Sequence, residues 1–170
     1  MQELASKIIL VKELEEEISS CIGESGEVLD SASAELAAIR RQIQVYQNRI
    51  REKLDNIIHS SSMQKMLQEP IITIRNDRYV IPLKQEYKGQ FSGIIHDQSA
   101  SGATLFIEPM VIVEMNNQLR QLKVKEEAEI KKILQLLANK IGSYSQELKI
   151  NIKCLAKIDF IFAKGRLSEK

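Results

Sequence analysis

The sequence contains no tryptophan, 5% aromatic residues, three prolines, seven glycines and two cysteines among 170 residues. So few turn-forming residues disfavour an all-β fold. A disulfide framework normally contains more than two cysteines, so we interpret Cys21 and Cys154 as buried thiols of a cytoplasmic protein. No apolar run approaches the roughly 18 residues of a membrane span, and no basic region followed by an apolar stretch opens the chain. We therefore expect neither a membrane span nor a signal peptide.

The charge is nearly balanced, at a formal net value of +1, but it is segregated along the chain. Residues 1–30 carry eight acids and two bases, whereas residues 109–170 carry twelve bases and seven acids. Residues 71–108 carry four of each. A near-neutral surface argues against strong nonspecific binding of nucleic acid by the whole surface. The basic later segment nevertheless leaves a polyanionic partner open.

Helical periodicity marks the first 60 residues. An amphipathic helix is predicted from about Glu3 to Cys21, with Leu4, Ile8, Val11, Leu14 and Ile18 at helical spacing. A second helix follows cap candidates at Asp30, Ser31 and Ser33 and reaches about His59. Its apolar steps are close to a heptad seam, which predicts packing along a partner helix. The seam consists of Leu36, Ile39, Ile43, Tyr46, Ile50, Leu54 and Ile57.

Two more helices are predicted after residue 108. The first is long and begins at Glu108-Pro109, because proline is favoured at the first helical position. The second begins near Tyr144. The apolar stripe of the long helix consists of Met115, Leu119, Leu122, Ile130, Ile133, Leu137 and Ile141. The stripe of the last helix consists of Leu148, Ile152, Leu155, Ile158 and Phe162.

Between the long helices the sequence turns to β-branched residues and glycine. Strands are predicted at residues 71–74, 78–84, 93–98 and 103–107, with a hairpin turn at Asn76-Asp77. Pro82 places its strand at an edge or a bulge. The predicted fold is therefore mainly α with a small inserted β module. The simplest packing lays the two long helices antiparallel as an arm that carries the β module as its tip. The predicted divisions are residues 1–70, 71–108 and 109–170.

Few residue groups could carry chemistry. No glycine-rich phosphate loop ending in Gly-Lys-Ser/Thr is present, the two histidines are distant, and the cysteines lack zinc spacing. A Ser, a His and an Asp do occur together after residue 95. Their adjacency argues against a catalytic triad, because neighbours on a strand point to opposite faces. We interpret the segment as a polar turn that satisfies backbone groups, or one that packs on the arm and fixes the tip's angle. It comprises His96, Asp97, Ser99, Ser101 and Gly102.

A cluster of bases surrounds the predicted hairpin. Bases interleaved with aromatic residues on a small sheet suit contact with a nucleic-acid backbone. Four acids share the segment, so a plain scaffold remains the other interpretation. The candidate nucleic-acid-binding residues are Arg75, Arg78, Lys84 and Lys88, and the aromatic residues are Tyr79, Tyr87 and Phe91.

Two long motifs resemble a known family. They are residues 72–84 (ITIRNDRYVIPLK) and 93–109 (GIIHDQSASGATLFIEP), which are similar to the lever and clamp region of the second bacterial branch of MutS proteins, the anti-recombination paralogues. Residues 26–33 (GEVLDSAS), Asn116-Asn117 and residues 155–164 (LAKIDFIFAK) extend the resemblance over nearly the whole chain. Asp77, Ser92 and Gly165 depart from the Gly, Pro and Ala expected at those positions.

The resemblance implies a function that composition does not reveal. Members are dimeric ATPases with a P-loop domain and often an Smr nuclease domain. They suppress homologous recombination by acting on branched DNA, and some split stalled ribosomes. This chain would then be the core, lever and clamp part, without its own enzyme activity, metal or cofactor, while ATP and Mg act elsewhere in the parent. Its partner would be branched DNA or ribosomal RNA, contacted without sequence reading. The alternative is a pure helical dimerisation module without nucleic-acid contact.

Overall fold

The computed structural model describes residues 6–168, as two compact units. Residues up to Ala34 and those from Glu129 onward belong to the terminal unit, and Glu35–Ala128 form the central unit. The described helices are α1 (Lys12–Cys21), α2 (Ala34–Ile58), α3 (Ser61–Met66), α4 (Met110–Ser143) and α5 (Ser145–Ser168). The strands are β1 (Thr73–Arg75), β2 (Arg78–Lys84), β3 (Gly93–Gln98) and β4 (Thr104–Pro109). Within residues 6–168, no helix combines the length and apolarity that a membrane crossing requires.

In the central unit, α2 and α4 run antiparallel. Arg40, early in α2, donates to Glu126 of α4 at 2.7 Å. At the other end, Ile57 lines one cavity together with Met110 and Val111, the first residues of α4. The seam predicted for α2 is largely confirmed, because most of its members are buried and the remainder are half-buried. The buried seam residues are Leu36, Ile39, Ile50 and Leu54, joined by Ile58, which the pattern did not mark.

The central sheet is four-stranded and antiparallel, in the order β1-β2-β4-β3. Asn76 and Asp77 both have positive φ, at 50° and 60°, and connect β1 to β2. Two such residues in a two-residue loop form the turn whose twist matches that of the strands. The predicted hairpin is therefore confirmed. One face of the sheet packs against α2 and α4 in a single apolar cluster that includes Tyr79, Ile81, Leu83, Leu105 and Ile107.

The strand that carries Pro82 lies between β1 and β4 in the sheet order, yet at Pro82 it pairs with β4 alone, so the predicted edge position is confirmed locally and not for the whole strand. Its β1 partner reaches only from Arg78 to Val80. The Pro82 carbonyl accepts from the backbone N–H of Gln68 at 2.9 Å, on the side away from β4. Since the N and O of one residue point to the same side of an antiparallel strand, the missing N–H costs no bond to β4.

The start of α4 also differs from the prediction. The chain is still a strand at Glu108 and Pro109, which pair with Ile94 and Gly93, and the helix begins at Met110. Pro109 therefore ends β4 instead of opening the helix. The apolar stripe of α4 is otherwise well predicted. Its buried members are Leu119, Leu122, Ile133 and Leu137, whereas Ile141 is exposed.

In the terminal unit, the first predicted helix is too long. Residues 8–11 are not helical, and Glu3 and Leu4 lie outside the described residues. Asn151 explains the extended backbone, because its side chain accepts from the Ile9 N–H and donates to the Ile9 carbonyl, both at 2.8 Å. This exchange imitates a strand partner, which a helix would not permit.

The stripe predicted on α5 is wrong for three of its five residues, because Ile152, Leu155 and Phe162 are exposed. Leu148 and Ile158 are half-buried, and the buried residue is Cys154. Cys21 is only half-buried, so the expectation of two buried thiols holds for Cys154 alone.

Candidate nucleic-acid interface

The four bases predicted to contact nucleic acid lie at opposite ends of β2. Arg75 and Arg78 flank the β1–β2 turn, whereas Lys84 ends β2 and Lys88 follows a short 3-10 turn at Gln85–Tyr87. Seven strand residues span about 20 Å at 3.3 Å per residue. The sequence suggested one cluster, and the structure instead separates the bases into two pairs.

The two lysines form the more accessible pair. Lys88 is exposed. The Lys84 ammonium donates to the carbonyl of Lys65 at 3.0 Å, and its side chain is half-buried. Donating one hydrogen bond leaves the Lys84 ammonium with further N–H donors that an anion can accept.

Arg75 is already engaged on the sheet. Its guanidinium stacks over the Phe106 ring, 4.1 Å from the centroid, and pairs with Asp97 at 3.2 Å. It also donates to the carbonyl of Ile74. The ion pair is about half exposed, so it is weak and screened by solvent. Arg75 can therefore contribute positive charge to the surface, but its guanidinium is held in place and has little freedom to turn toward a ligand.

Arg78 has a different environment, because it is paired with a buried carboxylate. The Glu108 side chain is 0% exposed, and its Oε1 accepts from Arg78 Nη1 at 2.9 Å and from Asn116 Nδ2 at 2.6 Å. Its Oε2 lies 2.6 Å from His96 Nε2. Arg78 Nη2 donates to Asn117 Oδ1 at 2.6 Å. We call these five residues the Glu108 network.

The network connects three strands to α4. Asn116 adds backbone bonds, because its Oδ1 accepts from the Tyr79 N–H at 3.3 Å and its Nδ2 lies 3.2 Å from the Tyr79 carbonyl. Buried charges are tolerated only when paired and hydrogen-bonded, and here each carboxylate oxygen has partners. The arrangement therefore orients the sheet on α4 inside the central unit.

A β-bulge brings His96 into the network. Ile95 pairs with Ile107 and Asp97 pairs with Phe106, so His96 is an extra residue without a partner position on β4. Bulges reorient side chains in this way. His96 and Asp97 consequently have different partners, Glu108 and Arg75, and do not form a His–Asp pair.

The serines of the polar turn bond to backbone. Ser99 Oγ accepts from the Thr104 N–H at 3.1 Å, and Ser101 Oγ accepts from the Ala103 N–H at 3.4 Å. Gly102 has a φ of +75°, in the left-handed region. Each serine hydroxyl therefore accepts a hydrogen bond that stabilises the backbone of the β3–β4 connection.

Sequence reasoning missed Glu108 and assigned Asn116 no contact. The available signal was an acid directly after the continuous apolar run Leu105-Phe106-Ile107, because such a run is typical of a buried strand. No group of three or more His, Cys, Asp or Glu residues is placed to hold a metal ion among residues 6–168.

Three charged groups of the terminal unit have shifted pKa values. The hydrogen bonds that the Lys140 ammonium donates to Glu17, and next to Glu13, raise the pKa of Lys140 to about 12. The hydrogen bond from Lys140 lowers the pKa of Glu13. The pKa of Glu129 is lowered chiefly by the Ser33 hydroxyl, which donates to it at 2.8 Å. These pairs connect α1 and the segment before α2 to α4.

Curated proteins with similar sequences identify the family. The chain is 52% identical over 165 residues to Endonuclease MutS2 of Bacillus cytotoxicus, and 53% identical over 166 residues to Endonuclease MutS2 of a Geobacillus species. It is 51% identical over 165 residues to a protein of Bacillus subtilis named putative endonuclease MutS2. Over nearly its whole length the chain is homologous to MutS2, the second branch of the MutS family.

The matches cover 97–98% of this chain but 21% of each relative, so the chain spans about a fifth of their length. No family model matches the sequence. The resemblance inferred from residues 72–84 and 93–109 is thereby confirmed at the level of the family.

Proposed function

We propose that this chain is the core, lever and clamp part of a MutS2-type protein and that it binds the phosphate backbone of branched DNA or ribosomal RNA. The observation that carries the proposal is its identity of about 52%, over 97% of its length, to proteins named endonuclease MutS2. An endonuclease must engage a nucleic acid. In this chain, Lys84 and Lys88 supply cations at and just beyond the end of β2, which suits a contact that positions a backbone without reading bases.

The α2–α4 pair would act as the levers. The Glu108 network fixes the sheet to α4 through buried, charge-assisted hydrogen bonds. A sheet held in this way moves with the helix, so a nucleotide-driven shift of the lever would reposition the clamp.

Nucleotide hydrolysis and strand cleavage are assigned to other parts of the parent. The present sequence has no Gly-Lys-Ser/Thr phosphate loop, so ATP and Mg would bind outside it. The parent would be a cytoplasmic homodimer that suppresses recombination or acts on stalled ribosomes.

The experiment is fluorescence anisotropy of the 170-residue chain with a labelled four-way DNA junction and a structured ribosomal RNA fragment. We expect weak binding that decreases with salt, and a further decrease for Lys84→Glu combined with Lys88→Glu. The matched control, Lys149→Glu with Lys153→Glu, reverses the charge of two exposed lysines of α5. Absence of binding, together with a stable dimer in light scattering, would instead support a helical interaction module.

A further inference from the structure

A groove opens along α4 in the central unit, beside Arg78. Its volume is about 630 Å³. The residues of α4 that line it recur mostly at intervals of three or four, so they share one face of the helix. They extend over about 16 Å at 1.5 Å per residue. We call this the α4 groove, lined by Arg78 and by Glu114, Asn117, Arg120, Gln121, Val124 and Lys125.

The lining is rich in cations and hydrogen-bond donors. It carries three cations and one carboxylate, and Arg120 and Lys125 are both exposed. Glu114 accepts a hydrogen bond from Gln118 at 3.0 Å, one turn along the helix. Asn117 Oδ1 is used by Arg78, which makes its Nδ2 the amide's available donor. The groove therefore presents mainly donors and positive charge.

We propose that the α4 groove binds consecutive phosphates of a nucleic-acid strand, as a second contact about one strand length from Lys84 and Lys88. The inference rests on the proposed function and adds a site to it. Phosphodiesters offer only acceptors and negative charge, which this lining satisfies, and 16 Å matches about four or five nucleotides at 3.4 Å each. None of the seven lining residues is aromatic, so stacking with bases is not expected.

An acidic polypeptide is the other polyanion that the charge would attract. Its backbone N–H groups require acceptors, and the groove offers a single carboxylate among its lining residues. A nucleic-acid strand has no comparable requirement at its phosphates. The donor-rich lining therefore favours the nucleic acid.

The test measures binding of the 170-residue chain to the labelled junction and the RNA fragment over a series of NaCl concentrations. Arg120→Gln with Lys125→Gln removes both exposed cations. We expect the affinity to weaken about tenfold. The slope of log K against log salt, which is negative, should become shallower by about two. The control, Arg49→Gln with Lys53→Gln, removes one Arg and one Lys from exposed positions of α2 and should change both values less.

A charge-preserving variant guards against a folding effect. Arg120→Lys with Lys125→Arg should retain most of the affinity and the slope. Wild-type binding unchanged by Arg120→Gln with Lys125→Gln, but weakened by Lys84→Glu with Lys88→Glu, would overturn the groove and leave the proposed function intact. An equal loss in the α2 control would also overturn it, since bulk charge would then explain the effect.

Two further results would be decisive. No binding by the wild-type chain to either nucleic acid would overturn the proposed function and the groove together. Displacement of the nucleic acid by poly-glutamate at an equal concentration of charges, lost in the Arg120→Gln with Lys125→Gln variant, would assign the groove to an acidic polypeptide instead.

Discussion

His96 Nε2 lies 2.6 Å from Glu108 Oε2, although Glu108 is fully buried and His96 occupies a bulge of β3. The opposite oxygen of the same carboxylate is held by Arg78 at 2.9 Å. One acid thus fixes a histidine from β3 and an arginine from β2, and with them the orientation of the sheet.

We predict that Glu108→Gln destabilises the central unit by about 3 kcal/mol, because removing one member of a buried pair leaves the other charge uncompensated. Urea unfolding followed by circular dichroism measures the change. Asp97→Asn removes a carboxylate paired with Arg75 at a half-exposed site and should cost about 1 kcal/mol or less. Equal effects of the two substitutions would refute the structural role of Glu108.

Gly93→Ala should destabilise the sheet by about 1–3 kcal/mol through overpacking. A Cβ at Gly93 would lie 2.6 Å from the Glu108 carbonyl oxygen and would overlap Ile107. Gly89→Ala is the matched control, since a Cβ there meets nothing within 4 Å. Thermal unfolding of both variants measures the difference. If Gly93 is closely packed, only Gly93→Ala lowers the melting temperature, whereas an equal decrease in both variants would contradict the packing explanation.

Asp77→Gly should stabilise the protein by about 1 kcal/mol or less, because glycine adopts a φ of 60° without the strain that a side chain adds. The substitution loses the ion pair with Lys123, but that pair is long, at 4.0 Å, and Asp77 is 80% exposed. Asn76→Gly should instead destabilise, since Asn76 donates to the His96 carbonyl at 3.0 Å. A lower melting temperature for Asp77→Gly would contradict the account of the turn.

We predict that the stability of the terminal unit depends on pH through Lys140. Its pKa is raised from 10.5 to about 12, so its stabilising effect is complete below pH 10.5 and is lost as the pH rises through about 12. Lys140→Met should therefore be less stable than wild type at pH 8, and the difference should shrink between pH 10.5 and 12. Thermal unfolding across this range measures it, with Lys131→Met as an exposed control on α4. A difference constant with pH would contradict the prediction.

The strands and the hairpin could be predicted because their signals are local. Residues 71–74 and 78–84 are short runs rich in β-branched side chains, and Asn76-Asp77 between them is a turn sequence whose chemistry needs no tertiary information. The seam of α2 was predictable for the same reason, since helical spacing alone marks the face that includes Leu36, Ile50 and Leu54.

The remaining features depend on contacts between distant residues. Glu108-Pro109 has the local signature of a helix start, but pairing with Ile94 and Gly93 keeps it in β4. The helix predicted before Lys12 is displaced by Asn151, 142 residues from Ile9. The pairing of Arg78 with Glu108 could not be predicted, because the two residues are 30 positions apart and only the folded sheet brings them together. The sequence alone showed four bases and four acids in residues 71–108.

The salt dependence of nucleic-acid binding by the 170-residue chain is the measurement that decides whether its lysines and arginines contact phosphates. If Lys84, Lys88, Arg120 and Lys125 each neutralise one phosphate, log K for duplex arms of a branched DNA should fall against log salt with a slope of about −3 to −4. Binding that is absent at low salt, or that has a slope near zero, would show that these four cations do not contact phosphates.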